Sequence, residues 1–576
     1  MIMAKQNNSC VFVLVFVLCF VNNSVYGLFD PDDLIVETPL GKLQGVDLGE
    51  SYAFGGVPFG KPPVGPLRFN APEPPEPWSG IHPANYFGIG CSQTCYEPSS
   101  ACPTTIQEDC LYLNIWVPKD IFEDPTPRGV FVFIHGGNFH DGAGGVPLYD
   151  SRFLVNNTGI ISVTINYRMS AFGFLYLGDI FDPYTNTTSK HANYGMQDQQ
   201  LAFKYVQDNI HLFGGDPTMV TVAGQSAGAQ SIGLHLLSNE SEPLFQQTYM
   251  ISNPYGLPYK NPKDATKLAE YFAEAIGCPP LDITCFREKE EAEVLAASKS
   301  AQSNIINPLE LFQYFEQWNP TVGEGEYPEE PVMAYEEGNF QRKPTMAGSV
   351  TEEGRAYVYG VFGNEVPWWM YRILLRLLVP KYGQEVIDQY TPVTLSSDQR
   401  EVLNRLVTDY LFLCATSHVS QMMGNYGVDV YNYANDASIS FSQFWEHVDI
   451  CKGYPCHGGD LAYIFRTAPL VNATYTPGEQ AMMDDMTSYI GNFVRTGNPN
   501  TPVNNNMREK QNKKLAFWPR VDEKSGNSTY TMYFSACKNS VIGNYRKEFC
   551  DTLDAFGYYQ VLFINSYPST NTCTCN

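Results

Sequence analysis

A serine hydroxyl becomes a nucleophile only when one group takes its proton and others receive the charge its attack creates. The stretch Thr221-Val-Ala-Gly-Gln-Ser-Ala-Gly-Ala229 has the makings of such a site. A short apolar run, Met219 to Ala223, meets the pentapeptide Gly224-Gln-Ser-Ala-Gly228, and a segment of helical period follows with Ile232, Leu236 and Leu237. Strand, tight turn and helix are the setting in which Gly-x-Ser-x-Gly forms a nucleophile elbow. The glycines let strand and helix approach closely, while the serine takes a strained backbone conformation. Ser226 would then project over a helix N-terminus, whose free N–H groups favour a developing anion. A second chemical signal stands 90 residues earlier, where the apolar run Val130-Phe-Val-Phe-Ile134 passes directly into His135-Gly-Gly-Asn-Phe139. A glycine-rich turn at the carboxyl end of a buried strand exposes backbone N–H groups of the kind an oxyanion needs.

Elements on either side must hold these turns. Alternating apolar residues from Leu34 to Val46 predict an N-terminal hairpin, and Pro62-Pro-Val-Gly-Pro-Leu-Arg-Phe69 an extended segment fixed by proline. A buried strand is expected from Ile160 to Asn166 and another from Val428 to Tyr433. The run Gln197 to Asn209, with Leu201, Ala202, Tyr205 and Val206 on one face, reads as a helix ended by Phe213-Gly-Gly-Asp-Pro217. Buried strands alternating with helices predict an α/β fold with a mainly parallel sheet and right-handed crossovers. No linker-like shift of composition and no repeat divides the chain, so one large domain spanning 28–576 is expected.

Five segments, in order, closely resemble the type-B carboxylesterase/cholinesterase family of α/β-hydrolases. They are Glu108-Asp-Cys-Leu-Tyr-Leu-Asn114, His135-Gly-Gly137, Asn166-Tyr-Arg168, Phe213-Gly-Gly-Asp-Pro217 and Gly224-Gln-Ser-Ala-Gly228. The likeness runs from about Val36 to about Phe556. It implies a large central sheet with helices on both faces and a triad in the chain order nucleophile, acid, histidine. The family's acid precedes a glycine after a strand, which points to Glu353 in Thr345-Met-Ala-Gly-Ser-Val-Thr-Glu-Glu-Gly354, with Glu352 as its rival. The base corresponds to His457 in Cys456-His-Gly-Gly-Asp-Leu461. The resemblance also implies oxyanion donors at the N–H groups of Gly137, Asn138 and Ala227, and a supporting role for Ser252 behind the acid. It further implies an Arg68–Glu108 ion pair and the disulfides Cys91–Cys110, Cys278–Cys285 and Cys414–Cys550. The family's reaction is ester hydrolysis through an acyl-enzyme, and it calls for no metal and no organic cofactor.

Departures from the family bear on substrate. No tryptophan stands between Cys91 and Cys110, where cholinesterases hold quaternary ammonium. Gln225 replaces the acid common before the nucleophile, Tyr259 stands where a pocket tryptophan is often found, and Asn138 replaces a third glycine. Together these favour a neutral or hydrophobic ester over a choline ester. Two other readings of the same fold are a catalytically silent adhesion protein and a luminal storage protein akin to slime-mould crystal-protein esterases. The first conflicts with an intact Ser226, Glu353 and His457; Asn-rich loops and a Cys451/Cys456 pair hint at the second.

Lys5, the apolar run Val11 to Val21 and the small-residue exit Val25-Tyr-Gly27 read as a signal peptide covering 1–27. That run is too short to cross a bilayer, and no later stretch reaches about 18 apolar residues. A secreted or luminal protein is therefore expected. Of the fifteen cysteines, Cys10 and Cys19 fall in the leader, and most of the rest should pair in an oxidising compartment. Cys278 with Cys285 and Cys451 with Cys456 are close enough in sequence to suggest bridges. The odd number leaves one thiol over, or an intermolecular bridge in a homo-oligomer, with Cys573 and Cys575 the candidates. The partners of Cys95, Cys102 and Cys537 stay open. Sequons stand at Asn156, Asn186, Asn239, Asn472 and Asn527. A net charge of −25, from 36 basic and 61 acidic residues without a basic cluster, argues against a nucleic-acid partner.

Overall fold

The structure, a computed structural model, describes residues 29–95, 97–306, 311–378, 383–390, 398–502, 515–522, 529–555 and 557–558. The expected leader, Cys573, Cys575 and the sequon at Asn527 lie outside the described residues.

Residues that alternate between two apolar environments form the backbone of the molecule. In the strand Arg128–Ile134, Val130, Val132 and Ile134 join one apolar core while Phe131 and Phe133 join another. That alternation is what a strand buried on both faces requires. Eleven strands make the sheet. In chain order they are β1 (Val46–Asp47), β2 (Ser51–Pro58), β3 (Tyr112–Pro118), β4 (Arg128–Ile134), β5 (Ile161–Ile165) and β6 (Gly215–Gln225). There follow β7 (Gln247–Ile251), β8 (Thr345–Val350), β9 (Val430–Asn435), β10 (Tyr530–Phe534) and β11 (Ser540–Gly543). Across the sheet the order is β11-β10-β9-β8-β7-β6-β4-β5-β3-β2-β1. The run from β10 to β5 is parallel throughout, and antiparallel strands close both edges. This is the α/β-hydrolase architecture.

The expected hairpin forms a small separate sheet from Ile35–Thr38, Gly41–Gln44 and Ile81–Pro83. Several boundaries shift from their sequence reading; the strand expected from Val428 to Tyr433 runs from Val430 to Asn435. Helix α1 begins at Tyr194 rather than Gln197, because Tyr194, Gly195 and Met196 are buried outside the amphipathic pattern. Strand β6 starts at Gly215, where it pairs with Arg128 of β4 before an irregularity and the main register from Val220. Two helices lead from the sheet to the site: α2 (Ala227–His235) leaves the carboxyl end of β6, and α3 (Gly354–Val361) leaves that of β8.

Candidate active site

At the end of β6 the chain turns through Ser226, whose φ of 56° and ψ of −123° only a tightly braced residue sustains. The two flanking glycines are sterically obligatory. A Cβ on Gly224 would fall 2.5 Å from the Gly228 carbonyl, and one on Gly228 would fall 2.2 Å from Ile134 O on β4. Helix α2 is thereby pressed against both strands, and the Ser226 N–H donates to Ile251 O on β7 at 3.0 Å.

The turn after β4 sits beside this corner. Gly137, Asn138 and Phe139 all carry positive φ, at 107°, 52° and 61°. A Cβ on Gly136 would approach within 3.0 Å of Ser226 Cβ, so the two turns share one wall. The N–H groups of Gly137, Asn138 and Ala227 have no internal acceptor among the described residues. Ser226, Gly137 and Asn138 face a cavity of about 230 Å³.

Two loops bring in the titratable groups. Glu353, fully buried, starts α3; its Oε1 accepts the Val350 N–H at 2.8 Å and its Oε2 faces His457 Nδ1 at 2.5 Å. Glu352 turns the other way, towards Arg355 and Asn404, so the pair resolves in favour of Glu353 as the neighbour of the imidazole. The loop of His457 is closed by the Cys451–Cys456 disulfide and bridged to Glu352 through Pro455 O. Rings of Phe412 and Tyr357 flank the imidazole at 5.2 and 5.5 Å. Burial pulls the His457 pKa down, but the Glu353 charge and hydrogen bond more than offset it, and Asp460 and Glu97 add to the upward push.

The second ring nitrogen holds a surprise. His457 Nε2 lies 3.0 Å from the amide nitrogen of Gln225, and no Ser226–His457 hydrogen bond forms. Tyr357, whose pKa is raised by burial above its ordinary range, lines the cavity together with Ser226. Tyr357 stands four residues after Glu353 on the same side of α3, a spacing that could have flagged it.

The cavity is also more acidic than Gln225 alone suggests. Glu97 and Asp141 line it, together with Phe444 and Trp445. Glu97 is exposed at the cavity mouth, where crowding by the surrounding protein and the nearby Asp141 charge push its pKa up. An aromatic wall therefore exists without a tryptophan between Cys91 and Cys110. Tyr259 is not part of the lining; its hydroxyl donates to Gln230 O at 3.0 Å. Ser252 Oγ is buried and finds no partner among the described residues, so it gives Glu353 no hydrogen bond.

Residues 32–553 match the model of the carboxylesterase family. The chain belongs to that family. Among its relatives is the cAMP-regulated D2 protein of Dictyostelium discoideum, 32% identical over 86% of this chain and 90% of that protein. The crystal protein of the same organism is 32% identical over 80% and 82%, respectively. The acetylcholinesterase of Electrophorus electricus is 30% identical over 89% of this chain and 87% of its own. Among solved structures, a thermophilic pNB esterase superposes with a TM-score of 0.73 at 28% identity, covering 90% of this chain and all of that one.

Other features of this carboxylesterase-family chain fall where the resemblance puts them. Arg68 grips Glu108 through two hydrogen bonds of 2.6 and 2.5 Å. The disulfides Cys91–Cys110, Cys278–Cys285 and Cys414–Cys550 form. Cys95 and Cys102, left open by the sequence, pair inside the first of these loops, and Cys537 is exposed and unpaired among the described residues. Asn186, Asn239 and Asn472 are exposed, whereas Asn156 is half-buried with its amide held by Glu50. No helix among the described residues is long and apolar enough to cross a membrane.

Proposed function

We propose that this chain is a secreted serine carboxylesterase, with residues 28–576 acting as one catalytic unit. The observation that carries the proposal is the meeting, in one cavity, of an elbow serine with an imidazole backed by a buried carboxylate. In this reading the imidazole of His457 rotates or shifts to reach Ser226, whose Oγ attacks the ester carbonyl as its proton passes to Nε2. The N–H groups of Gly137, Asn138 and Ala227 receive the charge on the carbonyl oxygen, each worth roughly 3 kcal/mol. His457 then gives the proton to the departing alcohol, leaving an acyl-serine. Water, deprotonated by the same nitrogen, attacks that acyl group; the acid leaves and Ser226 regains its hydrogen. Glu353 fixes the Nδ1–H tautomer and stabilises the imidazolium.

The preferred substrates are neutral or hydrophobic esters; a panel that includes amine-bearing esters tests whether Glu97 and Asp141 widen that range. Ser226→Ala should abolish hydrolysis of short-chain aryl esters while leaving the fold intact; unchanged turnover would remove the nucleophile assignment. The likeness to the Dictyostelium crystal protein supports a second reading, a luminal storage protein in which Ser226 is silent. In that case neither parent nor variant would turn over any ester.

A further inference from the structure

Resting on the reading of His457 as the base, we propose that Gln225 masks it: its amide occupies the Nε2 lone pair that must receive the Ser226 proton. The argument follows from what each atom can do. A carboxylate only accepts, so the 2.5 Å contact with Glu353 puts the neutral imidazole's hydrogen on Nδ1 and leaves Nε2 a bare acceptor. The amide nitrogen of Gln225 only donates, and it sits 3.0 Å from that lone pair. Ser226, one residue on, lines the same cavity without a hydrogen bond to that nitrogen. The base nitrogen thus holds a donor other than the nucleophile.

The surroundings make room for this amide specifically. Gln225 is buried, and its backbone is fixed by the pairing of β6 with β7 at Ile251. Its carbonyl end lies over Gly136 in the oxyanion turn, where a Cβ would come within 2.6 Å of Oε1. The side chain therefore spans from that turn to the base loop, so an acyl group entering against Gly137 and Asn138 meets the same residue that guards the imidazole. Displacing the amide frees Nε2 for Ser226, and the energy of one neutral hydrogen bond, about a fivefold factor in rate, separates the two arrangements.

The groups facing His457 are Glu353 and Tyr357 on the acid side, Asp460 on its own loop, Glu97 from the disulfide loop and the buried Glu316 near α2. Substituting Gln225 leaves all of them in place. A donor to Nε2 stabilises the neutral ring, so its loss must raise the protonation pH of His457. Gln225→Met keeps the length and removes the donor; Gln225→Asn keeps the amide but cannot reach. His457 is followed through ¹³C-histidine NMR of the whole protein, beside the pH dependence of kcat/KM for an aryl ester. Both variants should raise the His457 titration and the acid limb of kcat/KM by about half a unit to one unit. The plateau should rise about fivefold. A titration unmoved or lowered in both variants overturns the proposal. A raised titration without ester turnover, in parent and variants alike, upholds the Gln225 contact and overturns the esterase reading instead.

Discussion

Two buried histidines, each with a glutamine on Nε2, behave in opposite ways. His235 ends the nucleophile helix, wholly enclosed, with Nδ1 at 2.9 Å from Ser241 Oγ and Nε2 at 2.8 Å from Gln199 Oε1. Both partners are neutral, so burial alone governs it and pulls its pKa down to about 3. His457 keeps 16% of its side chain open to the cavity and has a carboxylate on Nδ1, which lifts it above 6.5 in spite of burial. A base must be able to hold a proton and hand it on. His235 can do neither, because burial with no carboxylate beside it keeps the ring neutral. The difference lies in one carboxylate and one open edge, not in burial.

That contrast can be broken most severely at His457. Its replacement by alanine should lower kcat by about 10⁴ to 10⁶, as expected for a member of a catalytic unit, whereas His235→Ala should leave kcat within a few-fold of the parent. Comparable losses in both would erase the distinction. Glu353→Gln keeps the shape and removes the charge. It should cost roughly 10³ to 10⁴ in kcat and move the acid limb of the pH profile to lower pH, because the group that raised His457 is gone.

The same pair differs in stability. His235→Ala leaves Gln199 Oε1 and Ser241 without their partner and should destabilise the fold by about 2–4 kcal/mol, read by chemical denaturation. A second buried group near the site sharpens the point through pH. Glu316 bonds to Gln230 on α2, and burial raises its pKa from 4.5 to about 7. The folded chain therefore keeps a proton that the unfolded chain releases between those values, and this group's contribution to stability falls as pH climbs from about 4.5 to about 7. Glu316→Gln should gain on the parent across that window, by on the order of 3 kcal/mol at most. A gap that stays constant with pH would contradict the raised value. Smallest of all, opening the Cys451–Cys456 loop by paired serine substitutions should slow turnover by up to about tenfold through loss of alignment, with Ser226 reactivity retained.

How much could be read from the chain follows from the range of each effect. The elbow was legible because its demands are local: Gly224 and Gly228 admit no Cβ against their neighbours, and that necessity is written into five consecutive residues. The parallel direction of β4, β5 and β6 followed from buried runs separated by helical ones, though their order in the sheet did not. Pairings across loops were harder. The four cysteines Cys91, Cys95, Cys102 and Cys110 allow three connectivities, and only folding shows that Cys95–Cys102 nests inside. The Gln225 contact joins residues 232 positions apart through a single side-chain amide, which no periodicity records. Glu97 reaches the cavity from that same disulfide loop, so the charge missing at Gln225 is partly restored from elsewhere.

The central claim, that Ser226 is an activated nucleophile, is met most directly by an irreversible reagent. A labelled organophosphonate incubated with the intact protein, followed by peptide mapping, should place one adduct on the peptide carrying Ser226. The labelling rate should collapse in His457→Ala and persist in His235→Ala. Absence of the adduct on Ser226 in the folded parent, or equal labelling of all three proteins, would contradict the account.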